Sequence, residues 1–238
     1  MADEDEFLNV SRKVGTLAEL TLRWRGHPCV ERFLEGWEVI FARKTYALEG
    51  EKSSERQTTN FMHALKHLNG INGHLTSDDL KTIHGIMMDR EPVLVGEFRK
   101  TRAFAGYHEF HPPFTISRGV REALDRYYSG EHFDPMLPAE PQAIEKAVRL
   151  FMDLISIHPF EDGNGRLCRL LLSHALMENG LSLFPVLLSS FHRRGRRHVI
   201  QAIKKFDYRP SLFYTLVCKS LVEVWEKFEK SCNTLIEE

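Results

Sequence analysis

Residues 157–169 read Ile-His-Pro-Phe-Glu-Asp-Gly-Asn-Gly-Arg-Leu-Cys-Arg. Gly163, Asn164 and Gly165 stand directly before a helical run. That composition suits an anion-binding nest, because glycine lets successive backbone N–H groups converge and a helix N-terminus adds positive potential. Arg166 and Arg169 follow three apart, on one face of the first turn. Cations there oppose the helix dipole. Two of them make sense beneath an anion carrying more than one negative charge, and guanidinium forks fit phosphate oxygens. His158, just upstream, is a candidate general base, and Asp162 is a hard oxygen ligand for Mg²⁺. Together these are the parts of a phosphoryl or nucleotidyl transferase.

Each part alone is a weak sign. A single Gly-Asn-Gly is more often an ordinary turn, and a single histidine at a helix end is more often a cap. No Gly-x-x-x-x-Gly-Lys-[Ser/Thr] loop occurs, and Gly163-x-Gly165 lacks a third glycine and a preceding strand.

The elements that must position these residues are mostly helical. Phe33, Leu34, Trp37, Ile40 and Phe41 recur at three and four, with Gly50 placed to end that helix. Thr76 to Met88 opens with a capping-box-like Thr-x-x-Asp and carries Leu80, Ile83 and Met87 on one face. Glu140-Pro141 opens a helix with Ile144, Ala147, Val148, Phe151, Leu154 and Ile155. Further helices are predicted from Asn164 to Asn179 and from about Pro210 onward. The stretch from Gly96 to Pro113 breaks the pattern: short alternating runs, a central glycine and two closing prolines read as a hairpin or extended flap. The predicted class is mainly α, with one small β element.

The 238 residues hold 32 Lys+Arg against 33 Asp+Glu, a net charge of −1, which argues against a surface devoted wholly to nucleic acid or anionic lipid. A chain of this length buries about 70% of its unfolded surface and needs no staples. The four cysteines, Cys29, Cys168, Cys218 and Cys232, form no Cys-x-x-Cys pair, so neither a disulfide framework nor a zinc ribbon follows. The acidic start is unlike a signal peptide, and no apolar run approaches the ~20 residues of a membrane span. A soluble, cytoplasmic protein without a membrane partner is expected.

From His158 to Arg169 the sequence resembles, without departure, the His-x-Phe-x-[Asp/Glu]-Gly-Asn-Gly-Arg-x-x-Arg signature of the Fic family. The resemblance extends over roughly residues 39–221, and Gly96-x-Phe98-Arg99 with Pro112-Pro113 looks like the family's flap. It implies a Fic-type helical bundle that transfers AMP from MgATP to a hydroxyl of a target protein. His158 would then be the base and Asp162 the Mg²⁺ ligand. Gly163, Asn164 and Gly165 would cradle phosphates, Arg166 and Arg169 would bind the phosphate tail, and buried Phe160 would position the loop. The target would lie along the flap, Lys100 to His111, with Ala103, Phe104, Ala105 and Gly106 facing the nucleotide. Thr45-Tyr-Ala-Leu-Glu49-Gly50 resembles the family's inhibitory motif in its N-terminal class. Glu49 would pair with Arg169, compete with the γ-phosphate and misalign the α-phosphate. Glu51 stands where relatives often carry Asn.

The implied organisation is an extension over residues 1–28, a single Fic domain over 29–230 with an inhibitory helix near 33–50, and a tail over 231–238. Hydrolytic removal of AMP using Glu49 is an alternative activity, and a catalytically silent protein- or RNA-binding module is another. The basic run His192-Arg-Arg-Gly-Arg-Arg-His198 with Lys204-Lys205 reads first as a solvated surface, and nucleic acid is not the expected partner. Arg196-Arg197 occupies a place where many relatives have tyrosines beside adenine, which leaves nucleotide preference open. A homodimer is also left open. His63, His67, His74 and His84 read as surface or core-edge histidines rather than zinc ligands.

Overall fold

The computed structural model describes residues 2–130, 139–188 and 195–236. Among these, nine helices and one two-stranded hairpin form the fold. The helices are α1 (Ala2–Trp24), α2 (Pro28–Ala47), α3 (Glu55–Asn69), α4 (Ser77–Met87), α5 (Ile116–Ser129), α6 (Ala139–Ile157), α7 (Asn164–Glu178), α8 (Gly195–Lys204) and α9 (Ser211–Ile236). Strands β1 (Phe104–Ala105) and β2 (His108–Glu109) pair antiparallel, Phe104 opposite Glu109. The mainly α class with a small hairpin is therefore as expected. The paired part of the flap, two residues on each strand around a turn at Gly106, is shorter than the alternation from Lys100 to His111 suggested.

Helix α7 lies at the centre of the bundle. Leu167, Leu170, Leu171, Leu172 and Leu176 are buried, and α6 packs along α7 through Ile144, Val148, Phe151 and Leu154. Burying each such side chain is worth about 1.5–3 kcal/mol, so this pair is a rigid base for the loop between the two helices. Helix α1 adds Val14 and Leu17 to the same core and packs on α9. Helix α2 starts earlier than its apolar repeat implied, at Pro28. Its Trp37 indole donates to the Pro185 carbonyl at 2.7 Å, which ties α2 to the segment after α7.

Two caps set the ends of the helices beneath the site. Thr76 and Asp79 close the expected capping box on α4, and Ser54 with Gln57 closes another on α3. Helices α3 and α5 were not singled out by the sequence patterns. Residues His192 to Arg194 of the basic run lie outside the described residues. Arg197 and His198, at the start of α8, are exposed.

Candidate active site

Helix α6 ends at Ile157, and the chain turns sharply at His158, which adopts the left-handed conformation at φ 53°. For a residue with a Cβ that conformation costs roughly 1–2 kcal/mol and persists only where neighbours hold it. Arg99 does so. Its buried guanidinium donates to the carbonyls of His158 at 2.7 Å, Ile157 at 3.2 Å, Thr101 at 2.7 Å and His111 at 2.6 Å. The Arg99 backbone N–H adds a bond to the Pro159 carbonyl at 2.9 Å. One cation thus joins the end of α6 to the base of the flap, where a helix C-terminus favours positive charge.

The His158 ring stacks on Phe110 of the flap, centroids 3.9 Å apart and planes 12° from parallel. Burial pushes its pKa down, and Arg99 adds to that, while a backbone bond at Ile155 and the charges of Asp162 and Glu49 pull the other way. The neutral imidazole that a base needs is therefore favoured.

The loop then folds around Asn164. Its side-chain amide donates to the Phe160 carbonyl at 2.8 Å, and its oxygen accepts from the Phe160 N–H at 2.9 Å. Both polar ends of the Asn164 side chain are occupied by Phe160. What Asn164 can offer an anion is its backbone N–H, at the first position of α7. Gly163, φ 74°, precedes α7 without any side-chain cap. A Cβ there would sit 2.9 Å from Met88 Sδ, so only glycine lets the turn lie this close to the end of α4. The uncapped N–H groups of α7 point from a buried turn.

His84, which the sequence placed among surface or core-edge histidines, is wholly buried under this loop. Its Nε2 lies 3.0 Å from the Asp162 carbonyl, and its Nδ1 accepts from the Gly96 N–H at 3.0 Å. A carbonyl can only accept and an N–H can only donate, so the ring carries its proton on Nε2. Its face stacks on Phe160 at 3.8 Å and 5°. Burial pushes its pKa down to about 4. The clue was present in the spacing, since His84 shares the face of Leu80, Ile83 and Met87. His63, His67 and His74 are exposed, and no group of three His, Cys, Asp or Glu side chains able to hold a metal occurs among the described residues.

Charge converges on Arg166 and Arg169, both buried. Glu49 reaches them from the turn that follows α2, where Leu48 caps the helix and Gly50 takes φ 87°. Glu49 Oε2 lies 2.9 Å from Arg166 Nε, and Oε1 lies 2.5 Å from an Arg169 terminal nitrogen. The expected partner was Arg169; the carboxylate spans both arginines. Arg169 also donates to the Thr45 carbonyl at 3.1 Å and so caps the last turn of α2. Arg166 lies over the Tyr46 ring, 4.7 Å from its centroid, and bonds Asp162 Oδ2 at 2.9 Å. Glu51 is at the edge of this cluster, 4.0 Å from Arg166. Asp162 Oδ1 accepts from the Gly163 N–H at 2.6 Å, and its side chain is half exposed.

The flap residues Ala103 to Gly106 form the first strand and turn of the hairpin, and Ala103 accepts from the Phe110 N–H at 3.1 Å. His158, residues 163–165, both arginines and the flap are thus brought to one place. Residues 74–176, from just before α4 through most of α7, match the Fic/DOC family.

Over that stretch the chain is similar to the Fic domain.

Around that match, 160 residues are 31% identical to a protein adenylyltransferase Fic of Culex quinquefasciatus, over 65% of this chain and 30% of the relative. A relative of the same name in Drosophila erecta is 27% identical over 177 residues, 72% of this chain and 34% of the relative. The chain spans about a third of the length of these curated relatives. The solved structure of Fic-1 (residues 134–508) from C. elegans shares the fold with TM-score 0.76 at 20% identity, over 96% of this chain and 73% of that one. The Fic-domain match itself begins at α4, so α2 and Glu49 precede it.

Proposed function

We propose that the protein is an adenylyltransferase that moves AMP from ATP to a hydroxyl side chain of a target protein, and that Glu49 holds it in an inhibited state. The observation that carries this reading is the meeting of three things at the start of α7. These are a histidine whose burial favours the neutral form, an uncapped helix N-terminus, and two buried arginines whose counter-charge is a carboxylate from a distant turn. Relatives named protein adenylyltransferase support the reaction class.

In this mechanism His158 takes the proton from the target hydroxyl as its oxygen attacks the α-phosphorus. The bond from that phosphorus to the bridging oxygen breaks, and pyrophosphate departs. Arg166, Arg169 and the backbone N–H groups of residues 163–165 take up the charge developing on it. Phe110 and Arg99 keep the imidazole in register with the flap. Asp162 fits a Mg²⁺ ion: it is a half-exposed carboxylate beside the nest, and Mg²⁺ characteristically takes one or two carboxylates together with substrate phosphates. When bound, the ion would offset phosphate charge. Arg166 now bonds Asp162, so that carboxylate must turn away to serve as a ligand.

Glu49 acts as the brake because it claims the two guanidinium groups the phosphate tail needs. A target segment lies along Lys100 to His111, pairing with the hairpin edge so that main-chain bonds hold the acceptor in register. Ala103 to Gly106 are on the nucleotide side. Residues 29–230 form the working unit, with α2 as the inhibitory helix.

Incubation with Mg²⁺ and ATP labelled at either the α- or the γ-phosphate tests the reaction class. Covalent label from the α position alone, with release of pyrophosphate, is the expected result. Transfer of γ-label to protein would make the enzyme a kinase and overturn the reading.

A further inference from the structure

The brake helix is joined to the rest of the bundle at a second place, far from Glu49. Cys29 is in the first turn of α2, where its backbone N–H bonds His27 Nδ1 at 3.2 Å and its side chain is partly exposed. Cys232 is near the end of α9, 2% exposed. One helical turn inward from each, Phe33 and Phe228 meet edge to face with centroids 5.5 Å apart. Phe33 is four residues after Cys29, and Phe228 four before Cys232. With Cys29 also beside Cys232, the two contacts together make the helices run antiparallel here. The Cys29 thiol is near enough to act on that of Cys232. Trp24 closes the end of the pair by packing on both His27 and Phe228.

Neither thiol has a place in the adenylyl-transfer chemistry. A metal role is also excluded on the donor set, since no third ligand gathers around the pair among the described residues. Cys168 and Cys218 are buried elsewhere in the core.

The geometry points to Cys29 and Cys232 as a disulfide-forming modification site that pins the root of α2 to α9. The oxidant is a peroxide. The partly exposed Cys29 sulfur attacks a peroxide oxygen, the O–O bond breaks and water leaves, giving a sulfenic acid at Cys29. The Cys232 sulfur then attacks the Cys29 sulfur, the S–O bond breaks, a second water leaves and the S–S bond forms. Both thiol protons end in water; the two sulfurs are oxidised and the peroxide is reduced. Cys232 is held back from direct attack on peroxide by its burial, which with the neighbouring thiol pushes its pKa up to about 11. It is thus the resolving partner.

The consequence concerns the brake and rests on the reading of Glu49 given above. Glu49 is at the far end of α2. It can leave Arg166 and Arg169 by movement of the whole helix or by unwinding of the last turn. A covalent tie at Cys29 removes the first route, so the oxidised protein holds Glu49 more persistently.

The test treats the full chain with equimolar hydrogen peroxide, caps free thiols and maps peptides without reduction. Expected is a Cys29–Cys232 link that dithiothreitol reverses and that is absent in Cys29→Ser and in Cys232→Ser. Hydrogen exchange across residues 29–49 of the oxidised wild type should slow ~10-fold or more, with no such change in the serine variants. Oxidation of Cys29 to sulfinic acid without a link would overturn the site. A link that leaves exchange over residues 45–49 unchanged would overturn its effect on the brake. Neither readout involves nucleotide, so failure here is distinct from failure of the adenylyltransferase reading.

Discussion

Glu49 fills the space that a side chain at Gly165 would need: a Cβ on Gly165 would lie 2.5 Å from Glu49 Oε1 and 3.0 Å from Arg169. Gly165 and Glu49 are therefore fitted to one another through a missing side chain. Gly165→Ala should cost about 1–3 kcal/mol of stability through overpacking. In the Glu49→Gly background most of that cost should vanish. Chemical denaturation of the four proteins in this double-mutant cycle measures the coupling, and strict additivity would show that the two residues do not meet.

The pH dependence of transfer should follow His158. In the proposed mechanism its neutral form is the active one, so rate falls as pH drops through its folded-state pKa. Burial holds that pKa below the ordinary 6.5, so the acid limb should lie below pH 6.5. A pH–rate profile in the Glu49→Gly protein reads this, and an acid limb above 6.5 would contradict the burial argument.

His84 gives stability its own pH dependence. Above pH 6.5 the ring is neutral whether the chain is folded or not. As pH falls from 6.5 toward 4 the unfolded chain gains a proton that the buried ring refuses, so stability is lost over that window, on the order of 3 kcal/mol. His158 and His174 are also shifted down and contribute to the slope. The measurement is thus the difference between wild type and His84→Gln, which should be flatter. His84→Phe would keep the stack on Phe160 while leaving the Asp162 carbonyl and the Gly96 N–H unpaired. It should lower kcat more than it raises KM for ATP, and His84→Gln, which can still donate to Asp162, should recover part of the loss.

Arg99→Lys keeps the charge but not the fork. A single ammonium cannot reach four carbonyls on two segments, and His158 would lose the support for its left-handed backbone. Loss of roughly 2–4 kcal/mol in thermal or chemical unfolding is expected, together with lower transfer, since burying a charge with unmet bonding is costly. Unchanged stability would mean the clamp is not needed.

Much of this was legible in the chain. That His158, Asp162, Gly163 to Gly165, Arg166 and Arg169 lie together was legible in local spacing, because the loop and first turn of α7 are one continuous segment. The apolar repeats of α2, α6 and α9 likewise mark buried faces. What spacing could not show was partnership across distance. Arg99 reads only as part of a flap motif until the carbonyls of Ile157, His158, Thr101 and His111 are seen to close on it. Asn164 reads as a phosphate ligand until its side chain is seen to be taken by Phe160. That Glu49 spans Arg166 as well as Arg169 depends on how α2 lies across α7. Helices α3 and α5 escaped notice for a different reason: their caps, at Ser54 and Gly130, are ordinary loop residues until the helix beside them is known.

The central claim is that one glutamate restrains a His158-dependent transfer of AMP. The most direct measurement is transfer of α-labelled ATP, with Mg²⁺, to the protein itself and to a cell lysate by wild type, Glu49→Gly and Glu49→Gly/His158→Ala. The expected result is weak labelling by wild type, strong labelling by Glu49→Gly, and a loss of ~10²–10⁴-fold when His158 is also removed. Labelling by wild type that equals the Glu49→Gly variant, or that survives loss of His158, would contradict the account.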